Sequence, residues 1–263
     1  MEKQFSHNDP TYIKKLQTGL TAESEELFQL LLDPDITFLQ TLLKNPAFTE
    51  EHLLTLLKRH DLTEELTNTI YQKYRHNIGH RIVLGLVRNS ATPGVVIRNL
   101  LPQLRLFELV DLLKLPYTTP DQKLAAERVI LQRLPTTPLG NKITLARRGT
   151  SAIVAELLKE GIPQVFEVCL SNSHLKEAAI FQYLRSAKAS AETISMIARH
   201  NRWNQRPNLQ LGILKNRRTP AIWFTLWLPK LTTHLLKNLR HHHKAHPDKK
   251  QLIDLELKKR GLS

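Results

Sequence analysis

Cysteine is almost missing. Cys169 is the single one in 263 residues, which excludes an intramolecular disulfide framework and a cysteine-ligated zinc knuckle and points to a reducing compartment. Its setting, Val165-Phe166-Glu167-Val168-Cys169-Leu170, reads as a small buried apolar position rather than a nucleophile. Glycine is scarce, at nine residues, and aromatics make up 6%. Neither suits a β-rich fold or a glycine-rich phosphate loop, and no segment sustains an alternation of period two. Long apolar runs are also missing. No window approaches the roughly 20 residues of a membrane span, and the start, Met1-Glu2-Lys3-Gln4-Phe5, has no apolar stretch of the secretory kind. The expectation is a cytoplasmic all-α protein.

The C-terminal quarter lacks acid. Residues 201–263 hold 14 Lys and Arg against 3 Asp and Glu, a net of +11, whereas residues 1–60 are net −3. Residues 61–134 and 135–200 are each net +3, and the chain as a whole is +14. Charge concentrated at one end implies a partner of opposite sign there; it says nothing about fold.

What is present is leucine, and a repeat. Leu84-Gly85-Leu86-Val87-Arg88-Asn89-Ser90-Ala91-Thr92-Pro93 returns as Leu211-Gly212-Ile213-Leu214-Lys215-Asn216-Arg217-Arg218-Thr219-Pro220, 127 positions later. The same shift lays Glu50 on Glu177, Arg75 on Arg202, Pro102 on Pro229 and Pro120 on Pro247. Thr92 and Thr219 read as helix N-caps, each followed by a proline suited to the first turn. Gly85 and Gly212 cost their helices roughly 1 kcal/mol each against Ala, so they read as points of close helix approach. Residues up to about Pro10 read as weakly ordered. After them, short helices open on capped turns such as Thr49-Glu50-Glu51 and Thr63-Glu64-Glu65, whose carboxylates favour the positive end of the helix dipole. Leu66, Ile70 and Tyr74, four apart, share one face. The pattern predicts a right-handed α-solenoid of stacked antiparallel hairpins in two tandem copies, residues 1–134 and 135–263. Pro135-Thr136-Thr137-Pro138 would hinge the two copies, with the second continuous with the first.

The turns Asn89-Ser90-Ala91-Thr92-Pro93 and Asn216-Arg217-Arg218-Thr219-Pro220, and more weakly Asn45-Pro46-Ala47-Phe48-Thr49, make the chain resemble the HEAT-type superhelical proteins. Among these it is most similar to the bacterial leucine-rich-repeat-variant group. The resemblance implies a binding scaffold. Some members of that group carry a cysteine-ligated iron–sulfur cluster near the N-terminus, a feature that does not transfer to a chain without cysteines there.

The richest constellation is the basic span Arg199–Lys250, opposed only by Asp248. Arg199, Arg202, Arg206, Lys215, Arg217, Arg218, Lys237, Arg240 and Lys244 are candidate phosphate contacts, since cations on one face release counterions from a polyanion. Trp203 is a candidate stacking platform, although Trp203 also reads as core, and Trp223 and Trp227, four apart on one helix, read more simply as core. His241-His242-His243-Lys244-Ala245-His246 reads as a solvated basic loop rather than a metal site. No metal and no cofactor is expected. Ile222–Leu228 could lie in a membrane interface, but its counterpart Val95–Leu101 is an ordinary helix, so membrane contact is disfavoured. No catalytic motif is found. The resulting expectation is a non-enzymatic scaffold whose basic half docks an acidic macromolecule, nucleic acid first. The alternatives are a protein–protein scaffold and a HEAT-like DNA alkylation-repair glycosylase, which would use tryptophans and an acid in a concave groove.

Overall fold

The computed structural model describes residues 10–116 and 118–262; most of the lead expected to be weakly ordered lies outside them. The chain divides into two compact units, Met1–Ile130 and Leu131–Ser263. Among the described residues there are eighteen α-helices, a few short 3₁₀ turns and no strand. In chain order the first nine are α1 (Pro10–Thr21), α2 (Ser24–Leu30), α3 (Ile36–Leu42), α4 (Glu50–Leu56), α5 (Glu64–Tyr74), α6 (His80–Arg88), α7 (Gly94–Leu100), α8 (Leu106–Leu112) and α9 (Pro120–Arg133). The second nine are α10 (Leu139–Arg148), α11 (Ser151–Glu160), α12 (Pro163–Ser171), α13 (Glu177–Leu184), α14 (Ala191–Arg199), α15 (Pro207–Lys215), α16 (Ala221–Trp227), α17 (Thr233–His242) and α18 (Pro247–Lys259).

Each helix buries a narrow stripe. In α6, Ile82, Val83, Leu86 and Val87 are buried on one side while Arg81 and Arg88 face solvent; each such apolar side chain contributes roughly 1.5–3 kcal/mol when fully buried. Starts follow the expected grammar in places. The Asp35 carboxylate accepts the amides of Thr37 and Phe38 at 2.9 and 3.2 Å, and the Thr49 amide donates to Nδ1 of His52 at 3.0 Å. Within the first unit α1 packs on α3, α2 on α4 and α4 on α6. Within the second, α10 packs on α12, α11 on α13, α13 on α15, α15 on α17 and α16 on α18. This neighbour-to-neighbour pattern is consistent with a solenoid-like arrangement.

The glycines of the repeated decade sit at close approaches. A Cβ on Gly85 would fall 2.9 Å from Leu57 Cδ1, and one on Gly212 would fall 2.9 Å from Phe181 Cε1. The threonines correct the sequence reading. The N-cap positions are Pro93 and Pro220, and α7 and α16 begin one residue later. The Thr92 and Thr219 hydroxyls point backwards instead, donating to the carbonyls of Leu86 and Ile213 at 2.6 and 2.5 Å. Both threonines are buried, so they close the preceding helix and do not open the next.

One device recurs. The last carbonyls of a helix lack intrahelical donors, and here a side chain 23 to 32 residues downstream supplies them. Asn45 Nδ2 reaches the carbonyls of Gly19 and Ala22, and Asn89 Nδ2 those of Leu57 and Arg59. Asn172 reaches those of Ala146 and Arg147, and Asn216 that of Leu184. Each of these asparagines also accepts the amide two residues on. Basic side chains do the same work: Arg59 on Leu31 and Asp33, Lys73 on Leu43, and Arg260 on Leu228, Pro229 and Leu231. Cations are favoured there in any case, because the C-terminal end of a helix carries partial negative charge.

Candidate anion-binding site

In the second unit the C-terminal ends of α13, α15 and α17 surround an open hollow of about 920 Å³. Its apolar floor is Phe181, Leu184 and Leu211 over Gly212, and its rim is Arg185, Lys215, Arg217, Arg218, His242 and His246, with no carboxylate in the lining. Arg185, Lys215 and Arg217 are exposed. Two rim members are anchored to the fold. Arg218 donates to the carbonyls of Ala187 and Ala189 at 2.7 and 2.8 Å, and His242 Nε2 donates to the carbonyl of Lys215 at 2.9 Å.

A second hollow of about 500 Å³ lies between α17 and α18, lined by Lys237, Arg240, His241, Lys244, Lys250, Leu257 and Leu262. Arg240 is engaged there, its Nε 2.6 Å from Oδ1 of Asp254. His241 lines this hollow and His242 the first, so consecutive residues in the last turn of α17 serve the two. The helix runs through His242 and residues 243–246 form the expected interhelix loop, but the loop is not solvated throughout, since His243 is buried. His243 is buried, its Nε2 donating to the carbonyl of Leu214 at 2.6 Å, and burial first, then the neighbouring His242, His246 and Lys249, hold its pKa below the usual imidazole value.

The other candidates belong to the scaffold. Trp203 is 1% exposed, and its indole N–H donates to the carbonyl of Leu170 at 2.9 Å, so the ring offers no face for stacking. Arg202 covers that ring with its guanidinium carbon 4.3 Å from the centroid and donates to the carbonyls of Asn172, Ser173 and Leu175. Arg206 pairs with Glu177 at 2.9 Å. Arg199 is exposed at the end of α14 and lines neither hollow. Trp223 and Trp227 are buried side by side with ring centroids 5.2 Å apart, and the Trp223 indole donates to Ser195 Oγ at 3.0 Å. Of the ten expected residues, the structure gathers Lys215, Arg217 and Arg218 in one hollow and Lys237, Arg240 and Lys244 in the other.

Sequence reasoning passed over Phe181 and Arg185, and it set His242 and His246 aside as part of a solvated loop. The missed signal is a stride of about thirty residues: the ends of α13, α15 and α17 follow one another at that interval, which stacks Arg185, Lys215 and His246 although no local motif joins them.

The first unit holds a hollow of about 440 Å³ at matching positions, with Leu54, Leu57, Lys58, Leu84, Gly85 and Arg88 each 127 residues before Phe181, Leu184, Arg185, Leu211, Gly212 and Lys215. Its rim differs. Glu51 lines it and pairs with Arg81 at 2.6 Å.

The arrangement in the second unit can hold an anion by charge. Among the described residues no three His, Cys, Asp or Glu side chains gather as a metal site requires. Cys169 is fully buried, and burial pushes its thiol up to about 12, far from a thiolate. No helix among the described residues is long and apolar enough to cross a membrane. Comparison of the chain with protein-family models, with curated proteins and with solved structures yields no match.

Proposed function

We propose that the second unit binds nucleic acid, chiefly through its phosphates. The observation that carries this reading is the pair of cationic hollows in one unit, lined by the consecutive residues His242 and His241, the first with no carboxylate in its lining. One small anion would need one hollow; two in succession suit a polymer with charge at regular intervals. Because the tryptophans are core, the phosphate term dominates and sequence preference is weak. The glycosylase alternative loses its footing for the same reason, since it relied on tryptophans exposed in a groove. A protein partner remains as an acidic surface competing for the same cations.

The finer architecture forms part of the proposal: a HEAT-like, right-handed stacking of hairpins in each unit, descended from one duplicated block. Two features support it. The bounds of α6 and α7 recur 127 residues later as those of α15 and α16, and the 3₁₀ turn Leu101–Gln103 recurs as Leu228–Lys230. Asn45 and Asn89 are 44 apart, as are Asn172 and Asn216, an interval within the roughly 40–47 residues of HEAT and armadillo units.

Fluorescence anisotropy with a labelled oligonucleotide tests the binding. Affinity should fall steeply between about 50 and 200 mM salt, and Lys215→Glu with Arg217→Glu should weaken it at least about tenfold while far-UV circular dichroism stays unchanged. Absence of binding at the lowest salt would end the proposal.

A further inference from the structure

The hollow at the ends of α13 and α15 offers more than charge. Beneath Arg185, Lys215 and Arg217 lies an apolar floor, with the half-buried Phe181 set against Gly212 and flanked by Leu184 and Leu211. Its volume of about 920 Å³ lies within the range of roughly 300–1,000 Å³ usual for ligand clefts. A duplex cannot use such a floor, because its bases are stacked inside and it presents phosphates and hydrated grooves. A single strand can turn a base out onto an aromatic or apolar surface while its phosphate stays on the rim.

Comparison with the first unit's hollow sharpens this. Leu54 stands there where Phe181 stands here, and Ser90, the residue 127 positions before Arg217, does not line that hollow. The phenyl ring of Phe181 and the guanidinium of Arg217 thus have no counterpart in the first unit's hollow, whose own arginines are Arg88, at the position of Lys215, and Arg81, paired with Glu51. Charge alone would suit any polyanion, but a ring and a cation side by side suit a ligand that carries a π-face next to a phosphate. We infer that this hollow is a nucleotide subsite for single-stranded nucleic acid, with the base on Phe181 and Leu211 and the adjoining phosphate on Lys215 and Arg217. This rests on the nucleic-acid reading above and narrows it to single strands.

The test compares a single-stranded 12-mer with the duplex of the same sequence, by anisotropy on the full chain. The single strand is expected to bind about tenfold tighter, the scale of one base stacked on an aromatic ring. Phe181→Leu, which installs the first unit's residue, should remove that preference while leaving duplex affinity and salt slope in place, and Phe181→Tyr should keep it. A second arm needs no variant: adenosine 5′-monophosphate should displace the single strand from the wild-type protein better than ribose 5-phosphate. Equal binding of single strand and duplex, or equal displacement by the two monophosphates, overturns the subsite and leaves general phosphate binding standing. Failure of both oligonucleotides to bind at low salt removes the subsite and the nucleic-acid reading together. Polyglutamate competing as well as the single strand would overturn the inference in favour of an acidic protein partner.

Discussion

The indole N–H of Trp203 donates to the carbonyl of Leu170, 33 residues earlier, at 2.9 Å. A residue flanked by Arg202 and Asn204 in a turn thereby closes the end of α12. Trp203→Phe should keep most of the packing but leave that carbonyl unpaired, lowering unfolding free energy by about 1–3 kcal/mol. Trp203→Ala should cost about 3–5 kcal/mol. Urea denaturation measures both. Oligonucleotide affinity of folded Trp203→Phe should match wild type; a loss there would mean that the ring touches the ligand.

Arg217 and Arg218 are neighbours with separate duties. Arg218→Glu breaks the bonds to the carbonyls of Ala187 and Ala189 and should lower stability by about 1–3 kcal/mol. Arg217→Glu should leave the melting midpoint alone and lower oligonucleotide affinity, reducing the salt slope by about 0.7–0.9 for each phosphate that the guanidinium neutralises. Melts and salt titrations on the two single variants separate the effects; identical profiles would contradict the assignment.

The clamp asparagines admit little substitution. Asn89 places one amide on two carbonyls, and Asn216 donates to Leu184 at 2.6 Å while accepting the amide of Arg218 at 2.8 Å. Alanine at either position should cost about 1–3 kcal/mol. Aspartate should cost more, since it turns an oxygen towards carbonyls. Midpoint shifts in guanidinium at a constant slope are the readout.

Stability should also depend on pH through His243. Its folded pKa lies below the ordinary imidazole value, so the folded protein binds this proton less readily than the unfolded chain does. The contribution is then fully present above the unfolded pKa of roughly 6.5 and is lost as pH falls below it towards the folded value. His200, held low by burial and by Arg202, acts in the same direction. Unfolding free energy measured from about pH 8 to pH 5 should decline, and His243→Gln should flatten the decline.

Cys169 provides a probe of opening. Fully buried and with its thiol pushed up to about 12, it should resist a thiol reagent at about pH 8 in the folded protein and react at once in denaturant. Rapid labelling under native conditions would mean that α12 opens locally.

Much of the helical layout was legible because its cues are local. Prolines and capping residues mark helix starts: α11 opens directly after Thr150, whose side chain accepts the Ile153 amide, and α12 opens on Pro163. Gly212 was legible as a close approach because a glycine inside a leucine-rich helix weakens that helix unless a neighbour needs the space. The duties of the cations were not legible. Arg202, Arg218 and Lys249 look like free surface charge in the sequence, yet each ends on a backbone carbonyl some 30 residues back. Nothing within ten residues of any of them announces that partner. Thr92 misled for a related reason: a threonine before a proline suits the start of a helix, and only the position of the Leu86 carbonyl decides that it serves the previous one.

The downstream donors also impose an order on assembly. A helix end fastened by a residue some thirty positions later stays wet until that residue exists, so during synthesis from the N-terminus each turn of the stack would wait for the helix pair that follows it. The chain is buttoned from behind, and a truncation at any point should loosen the two helices before the cut.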